Sequence, residues 1–214
     1  GGTSGQSAKR MYIGDSTATP RSGYAGFSVM TGATFNLGFF GDSITRAYYG
    51  TPSTYGTIGD SYADKVARYL RTSKFNYANF GRDSMRLALA TDTTLDAGTI
   101  IAATVPSALY TLPTIAVVFL GTNDAALDGQ SASVMWTRLK TICAQIKAAY
   151  PTNKVIVCPM LPRANNGSLE TTRADYNGNT KIGGGDASFD YYANFSLDAT
   201  IAANYDLTDE ELAA

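Results

Sequence analysis

The stretch NLGFFGDSITRAYYG, residues 36–50, decides how this chain folds. An apolar run ends at a glycine, and Asp42 and Ser43 follow at once. A short apolar run bounded by glycine reads as a buried strand. A serine just beyond it sits on the sharp turn out of that strand, where a hydroxyl is well presented as a nucleophile. Yet the 214 residues contain no histidine, so the group that would activate Ser43 is not evident.

Working outward, four segments read as buried strands: TFNLGFF (34–40), KFNYANF (74–80), TIAVVFL (114–120) and KVIVCPM (154–160). The third and fourth are near-continuous apolar runs, as expected of strands covered on both faces, whereas the second alternates. Helical patterns lie between them. GDSYADKVARYLRTS places Tyr62, Val66, Tyr69 and Leu70 on one stripe, with Asp60 or Ser61 available as N-cap. SASVMWTRLKTICAQIKAAYP repeats the pattern through Val134, Trp136, Leu139, Ile142, Cys143 and Ile146, and Pro151 stops it. Strands alternating with helices predict a parallel sheet with right-handed crossovers in one α/β layer architecture.

Residues 1–33 do not follow that rhythm. They are rich in Gly, Ser, Thr and Pro and read as a loop-rich extension or linker with one or two short extended pieces, ahead of a domain spanning 34–214. The opening GGTSGQSAKR has neither an initiator Met nor a signal-peptide pattern and reads as the processed or engineered start of a piece of something longer. The stretch 163–190 reads as a loop. The stretch from Phe189 onward reads as a helix and then a short strand at NYDLT, residues 204–208.

Length fits one domain with a full core. Seventeen basic against 18 acidic residues give a formal net charge of −1, and no basic run exceeds two residues. That balance argues against nucleic acid or an anionic membrane as the main partner. No segment reaches the roughly 18 apolar residues of a membrane span. Charged residues are only 16% of the chain, so the surface is polar but weakly charged, which favours an extracellular or virion-associated setting. Cys143 and Cys158 fall in apolar patterns and read as buried free thiols. Without histidine, and with no chelating Cys spacing, no metal is implied. No glycine-rich phosphate loop follows the first strand, so no nucleotide cofactor is implied either.

In open α/β sheets, ligands bind at the carboxyl ends of the strands. Here those ends carry Gly41-Asp42-Ser43, then Asn79, Gly81 and Arg82, then Gly121, Asn123 and Asp124. GDSIT, the N-x-G of 79–81 and GTND, in that order, resemble three blocks of the SGNH or GDSL hydrolase superfamily over roughly residues 34–210. The resemblance implies a three-layer α/β/α, flavodoxin-like domain with a mainly parallel sheet of about five strands, and a serine esterase working through an acyl-serine intermediate. It assigns Ser43 as nucleophile, the Gly81 backbone N–H as oxyanion donor and the Asn123 side-chain amide as a second donor. Asp42 and Asp124 are expected to brace turns through backbone N–H groups, and Arg46 and Arg82 to be solvated. A second G-D-S ending at Ser16 has only Met11-Tyr12-Ile13 before it and is discounted.

The superfamily places its base and orienting carboxylate in a C-terminal Asp-x-x-His block. Neither Asp206 nor Asp209 is followed by such a histidine, and YDLTDEELAA resembles the lead-in to that block. Three explanations stay open: the block has been cut off, catalysis has been lost while the pocket still binds acylated glycans, or another side chain serves as base. Abundant Tyr and Thr with little charge tilt the substrate toward O-acetyl groups on carbohydrates. The alternative is a non-catalytic glycan- or surface-binding module on the same fold.

Overall fold

The fold was read from a computed structural model, which describes residues 9–13, 25–29, 32–46, 61–70, 73–82, 84–87, 112–149, 154–161, 167–182 and 187–193. Seven strands form one sheet: β1 (Lys9–Ile13), β2 (Ala25–Val29), β3 (Phe35–Gly41), β4 (Phe75–Asn79), β5 (Thr114–Phe119), β6 (Lys154–Val157) and β7 (Tyr191–Tyr192). Their order across the sheet is β1-β2-β4-β3-β5-β6-β7. The five strands from β4 to β7 run parallel, as expected of βα alternation, while β1 and β2 add antiparallel on the β4 side. The extended pieces expected within residues 1–33 are thus strands of this same sheet.

The helices are α1 (Ser43–Arg46), α2 (Tyr62–Tyr69), α3 (Thr122–Ala126), α4 (Ala132–Ala149) and α5 (Gly167–Ile182). Side chains alternate across β3 and β5, so each strand feeds two cores. Phe40, Ala116 and Val118 face Leu139, Ile142, Cys143 and Ile146 of α4 and Leu169 and Tyr176 of α5. Leu37, Phe39, Val117 and Phe119 face Tyr62, Ala63, Ala67 and Leu70 on the other side. These are the three expected layers. Cys143 and Cys158 are both buried and are not joined in a disulfide, and they belong to different cores.

Several expectations are corrected. The stretch 163–190 is not all loop, because α5 occupies Gly167–Ile182. Two glycines and several Asn and Thr hide this helix, but Leu169 and Tyr176 stand two turns apart on one buried stripe. The Tyr176 hydroxyl donates to the Leu120 carbonyl at 3.2 Å, and the Asn177 amide bonds both the N–H and the carbonyl of Met160. Tertiary bonds thus override weak propensity. The stretch from Phe189 opens on a strand, β7, and not on a helix; the rest of it, NYDLT included, lies outside the described residues.

Half of the expected α2 stripe packs on the sheet: Tyr62 and Leu70 do, whereas Val66 is 39% and Tyr69 88% exposed. Ala63 and Ala67 complete the docking face, and their small side chains allow close approach to the sheet. Ser61 is its N-cap, accepting the Asp64 N–H at 3.0 Å. In α4 the buried face is Met135, Leu139, Ile142, Cys143 and Ile146, with Val134 exposed.

Strand β7 hangs on Asp190. Its carboxylate accepts the Val155 N–H and the Lys154 ammonium, both at 2.9 Å, and lies 3.2 Å from the Lys147 ammonium. Burial pushes its pKa up, but the Val155 N–H and the two ammoniums outweigh that, and the net shift is downward. A depressed carboxylate contributes stability above its unfolded pKa of about 3.9 and loses it as pH falls through the folded value. Asp190→Ala is therefore expected to cost about 1–2 kcal/mol at neutral pH, and chemical denaturation should show that gap closing in acid.

Candidate active site

The site is built where β3 stops. A Cβ at Gly41 would overlap the Thr45 hydroxyl and stand 3.0 Å from the Phe119 carbonyl oxygen, so only glycine fits between the strand end and the turn above it. Asp42 is buried, and its Oδ1 accepts the Ile44 N–H at 3.0 Å. Its carbonyl accepts the Arg46 N–H at 3.1 Å, closing α1. The carboxylate thus braces its own turn, as expected, and Ser43 opens α1 directly above the sheet. Ser43 is half-buried, and among the described residues no hydrogen bond reaches its hydroxyl.

The end of β4 is bolted to the same helix. Asn79, buried, donates from Nδ2 to the Thr45 carbonyl at 2.9 Å and accepts the Gly81 N–H on Oδ1 at 2.8 Å. A Cβ at Gly81 would overlap the Arg46 nitrogen and lie 2.7 Å from the Thr45 carbonyl carbon. Glycine is required here because two backbones touch. The Arg82 N–H then donates to the Gly41 carbonyl at 3.0 Å, so β4 leaves the sheet beside the Ser43 turn. The Gly81 amide is engaged with Asn79 and would have to leave that bond to reach an oxyanion.

Arg82 is half-buried rather than freely solvated, and its Nε is buried without a hydrogen bond. Arg46 is half-buried on α1. After Arg82 the chain turns, with the Met85 N–H donating back to the Arg82 carbonyl at 3.1 Å and Ser84 held at φ 57°. Non-glycine residues in this left-handed region cost roughly 1 kcal/mol or more, and such strain clusters at functional sites. The sequence reading missed Ser84; its only trace there is the Asp-Ser pair, turn-forming residues between Arg82 and Met85.

The third strand end supplies Asn123. Gly121 has φ 127°, and a Cβ there would press on Met160 and Met135 at 3.1–3.2 Å, so glycine is needed to swing β5 into α3. Asn123, half-buried on α3, donates from Nδ2 to the Met85 carbonyl at 3.1 Å. A side-chain amide carries two N–H groups, and that bond occupies one of them. Asp124 is fully buried and accepts the Leu87 N–H on Oδ2 at 2.7 Å. This bond braces a distant segment, and the Asp124 backbone N–H also favours the carboxylate, as expected of a residue bracing its own turn. Ser43, Gly81 and Asn123 thus stand at the carboxyl ends of three adjacent strands, β3, β4 and β5, with β3 in the middle. Ser16, Asp206 and Asp209 lie outside the described residues.

The GDSL-like Lipase/Acylhydrolase family matches residues 39–210 of the sequence. The chain belongs to that family. It is thereby placed among the carboxylic ester hydrolases of SGNH type. Solved structures agree in fold. Est24, a carbohydrate acetylesterase from Sinorhizobium meliloti, is 18% identical and superposes with a TM-score of 0.62 over 74% of this chain and 83% of its own. The native aryl esterase of M. smegmatis is 20% identical, with a TM-score of 0.57 over 84% of this chain and 96% of its own. A family two carbohydrate esterase from Clostridium thermocellum, solved with cellohexaose, is 21% identical, with a TM-score of 0.56 over 75% of this chain and 53% of its own. At these identities the likeness speaks to fold alone. No curated protein matches the sequence.

The contact at Gly81 sets a prediction. An alanine methyl there meets backbone on the Ser43 helix, which cannot swing aside as a side chain can, so Gly81→Ala should destabilise by about 1–3 kcal/mol. Thermal unfolding measures this, and an unchanged midpoint would mean that β4 and α1 are not in contact.

Proposed function

We propose that this family member hydrolyses carboxylic esters through an acyl-serine intermediate on Ser43, with O-acetyl groups on carbohydrates as substrate. The observation that carries the reading is Ser43 on a tight strand-to-helix turn at the middle of three strand ends, with Asn123 on the next strand end. Ser43 Oγ attacks the ester carbonyl, and the bond formed leaves negative charge on the carbonyl oxygen. Asn123 donates its remaining amide N–H to that oxygen. The Gly81 backbone N–H is the second donor, once it leaves the bond to Asn79 Oδ1 that holds it at 2.8 Å. The Ser43 proton passes to the base, imidazole in the test below, and on to the alkoxide as the acyl C–O bond breaks. Water then adds to the acyl-serine and gives its proton to the same base, and the acid leaves as that proton returns to Ser43 Oγ.

One donor aimed at the oxyanion is worth roughly 3–4 kcal/mol in the transition state. The carbohydrate acetyl substrate is favoured by the weakly charged, Tyr-rich and Thr-rich chain and by the fold shared with carbohydrate esterases. A second reading, a glycan-binding module that has lost catalysis, is favoured by the absence of histidine from the 214 residues. Carboxylates near their ordinary pKa of about 4 are weak bases at neutral pH.

The 214-residue chain should therefore hydrolyse p-nitrophenyl acetate near the background rate, and Ser43→Ala should not lower it further. Turnover that Ser43→Ala abolishes would reveal a base within the chain. Added imidazole, standing in for the missing base, should bring out a rate that depends on Ser43. If it does not, while acetylated oligosaccharides still bind, the binding module is the better reading. In imidazole, Asn123→Ala should lower kcat by roughly 10²-fold with KM little changed, because the donor meets charge present only in the transition state. An effect confined to KM would make Asn123 a substrate-binding residue.

A further inference from the structure

Residues 85, 86 and 87 form a strap held at each position by a side chain from α3 or the turn after it. Asn123 Nδ2 holds the Met85 carbonyl at 3.1 Å, the Asp128 carboxylate lies 3.4 Å from the Arg86 guanidinium, and Asp124 Oδ2 holds the Leu87 N–H at 2.7 Å. The middle contact is partly exposed and weak. The Asp124 contact is different. Asp124 is fully buried, and its Oδ1 has no hydrogen bond. Arg138 Nη1 stands 3.6 Å from that oxygen, too far for a hydrogen bond, and is itself buried without one.

A buried carboxylate satisfied on one oxygen only is costly, and a well-packed apolar side chain would escape the cost. What the apolar side chain lacks is a charge-assisted bond to the strap. We infer that Asp124 is the positioning residue of the oxyanion site: through the Leu87 N–H it fixes the strap whose Met85 carbonyl orients the Asn123 amide, and the grip on the strap follows the charge on the carboxylate. The inference rests on the reading of Asn123 as an oxyanion donor.

Among the described residues, the charged and titratable groups that act on Asp124 are Arg138 from α4 and Asp128 after α3, itself paired with Arg86 of the strap, and Asp124 in turn acts on Tyr176 from α5. Burial pushes Asp124 up to about 6, against the lowering effect of the Leu87 N–H and Arg138. A folded pKa above the unfolded value of about 3.9 means that the folded state prefers the neutral acid. The cost of the carboxylate is present in full above the folded pKa and is relieved as pH falls toward the unfolded one. Global stability from this group therefore rises in mild acid, while the bond to the strap weakens. A carboxylate serving only the stability of the fold would lose both together.

NMR of the full 214-residue chain reads this directly. The Leu87 backbone amide and the Asn123 side-chain amide should titrate together with a midpoint of about 6. Over the same range Leu87 exchange, corrected for its intrinsic rate, should speed up roughly fivefold, and the thermal midpoint should not fall. In Asp124→Asn both titrations should vanish. If Leu87 titrates and Asn123 does not, or if neither moves in the wild type, the inference is overturned. The wild-type titration stands even if the variant fails to fold. It is also read whether or not Ser43 turns over, so its failure is distinct from failure of the esterase reading.

Discussion

The side-chain amide of Asn79 binds two backbones at once, and the site depends on it. Its Nδ2 holds the Thr45 carbonyl of the Ser43 helix, and its Oδ1 holds the Gly81 N–H of its own strand end. Both groups are in the interior, where an unpaired backbone dipole is expensive. One buried side chain therefore satisfies both and fixes the distance between β4 and α1. Gly81 makes that distance possible by presenting no Cβ to the Thr45 and Arg46 backbones. The Thr45 hydroxyl passes the constraint on, meeting the Tyr62 hydroxyl of α2 at 3.1 Å. The orientation of the serine helix is thus inherited from a strand that does not carry the serine.

The opposite end of the sheet is pinned in a similar manner. Asn76 on β4 donates to Asn36 on β3 at 3.0 Å, and Asn36 donates to Thr114 on β5 at 3.2 Å. These three residues are register partners in neighbouring parallel strands. A slip of one residue in any pair would leave buried amides without partners. Register set at the amino ends is carried along rigid strands to the carboxyl ends, where Gly41, Asn79 and Phe119 finish their strands. The candidate residues Ser43, Gly81 and Asn123 converge because the strands that lead to them cannot slide.

The parallel strands were legible in the sequence because TFNLGFF, TIAVVFL and KVIVCPM are apolar runs too short for helices and bounded by turn residues. The strand-end residues were legible because Ser43, Gly81 and Asn123 follow such runs. Other features were hidden for separate physical reasons. The extended pieces within residues 1–33 were anticipated, but their place as β1 and β2 in the main sheet depends on backbone pairing with β4, which five-residue segments among loop-forming residues do not announce. Helix α5 is set by bonds from Tyr176 and Asn177 to residues far away in sequence. The docking face of α2 was read only in part, because Val66 and Tyr69 point outward while Ala63 and Ala67, which carry little hydrophobic signal, point inward beside Tyr62 and Leu70. The φ of Ser84 leaves no mark in a residue type that usually avoids it, and the engagement of the Gly81 amide is a matter of where Asn79 points.

The sheet also separates the two thiols. Cys143 lies in the layer shared with α4 and α5, and Cys158 lies beneath the α2 side, where burial pushes its thiol up to about 12. Neither meets solvent while its own layer stays closed, and the seven strands stand between them. A thiol reagent therefore finds two independent clocks in one molecule. Whichever cysteine is modified first reports which face of the sheet opens first when the domain begins to come apart.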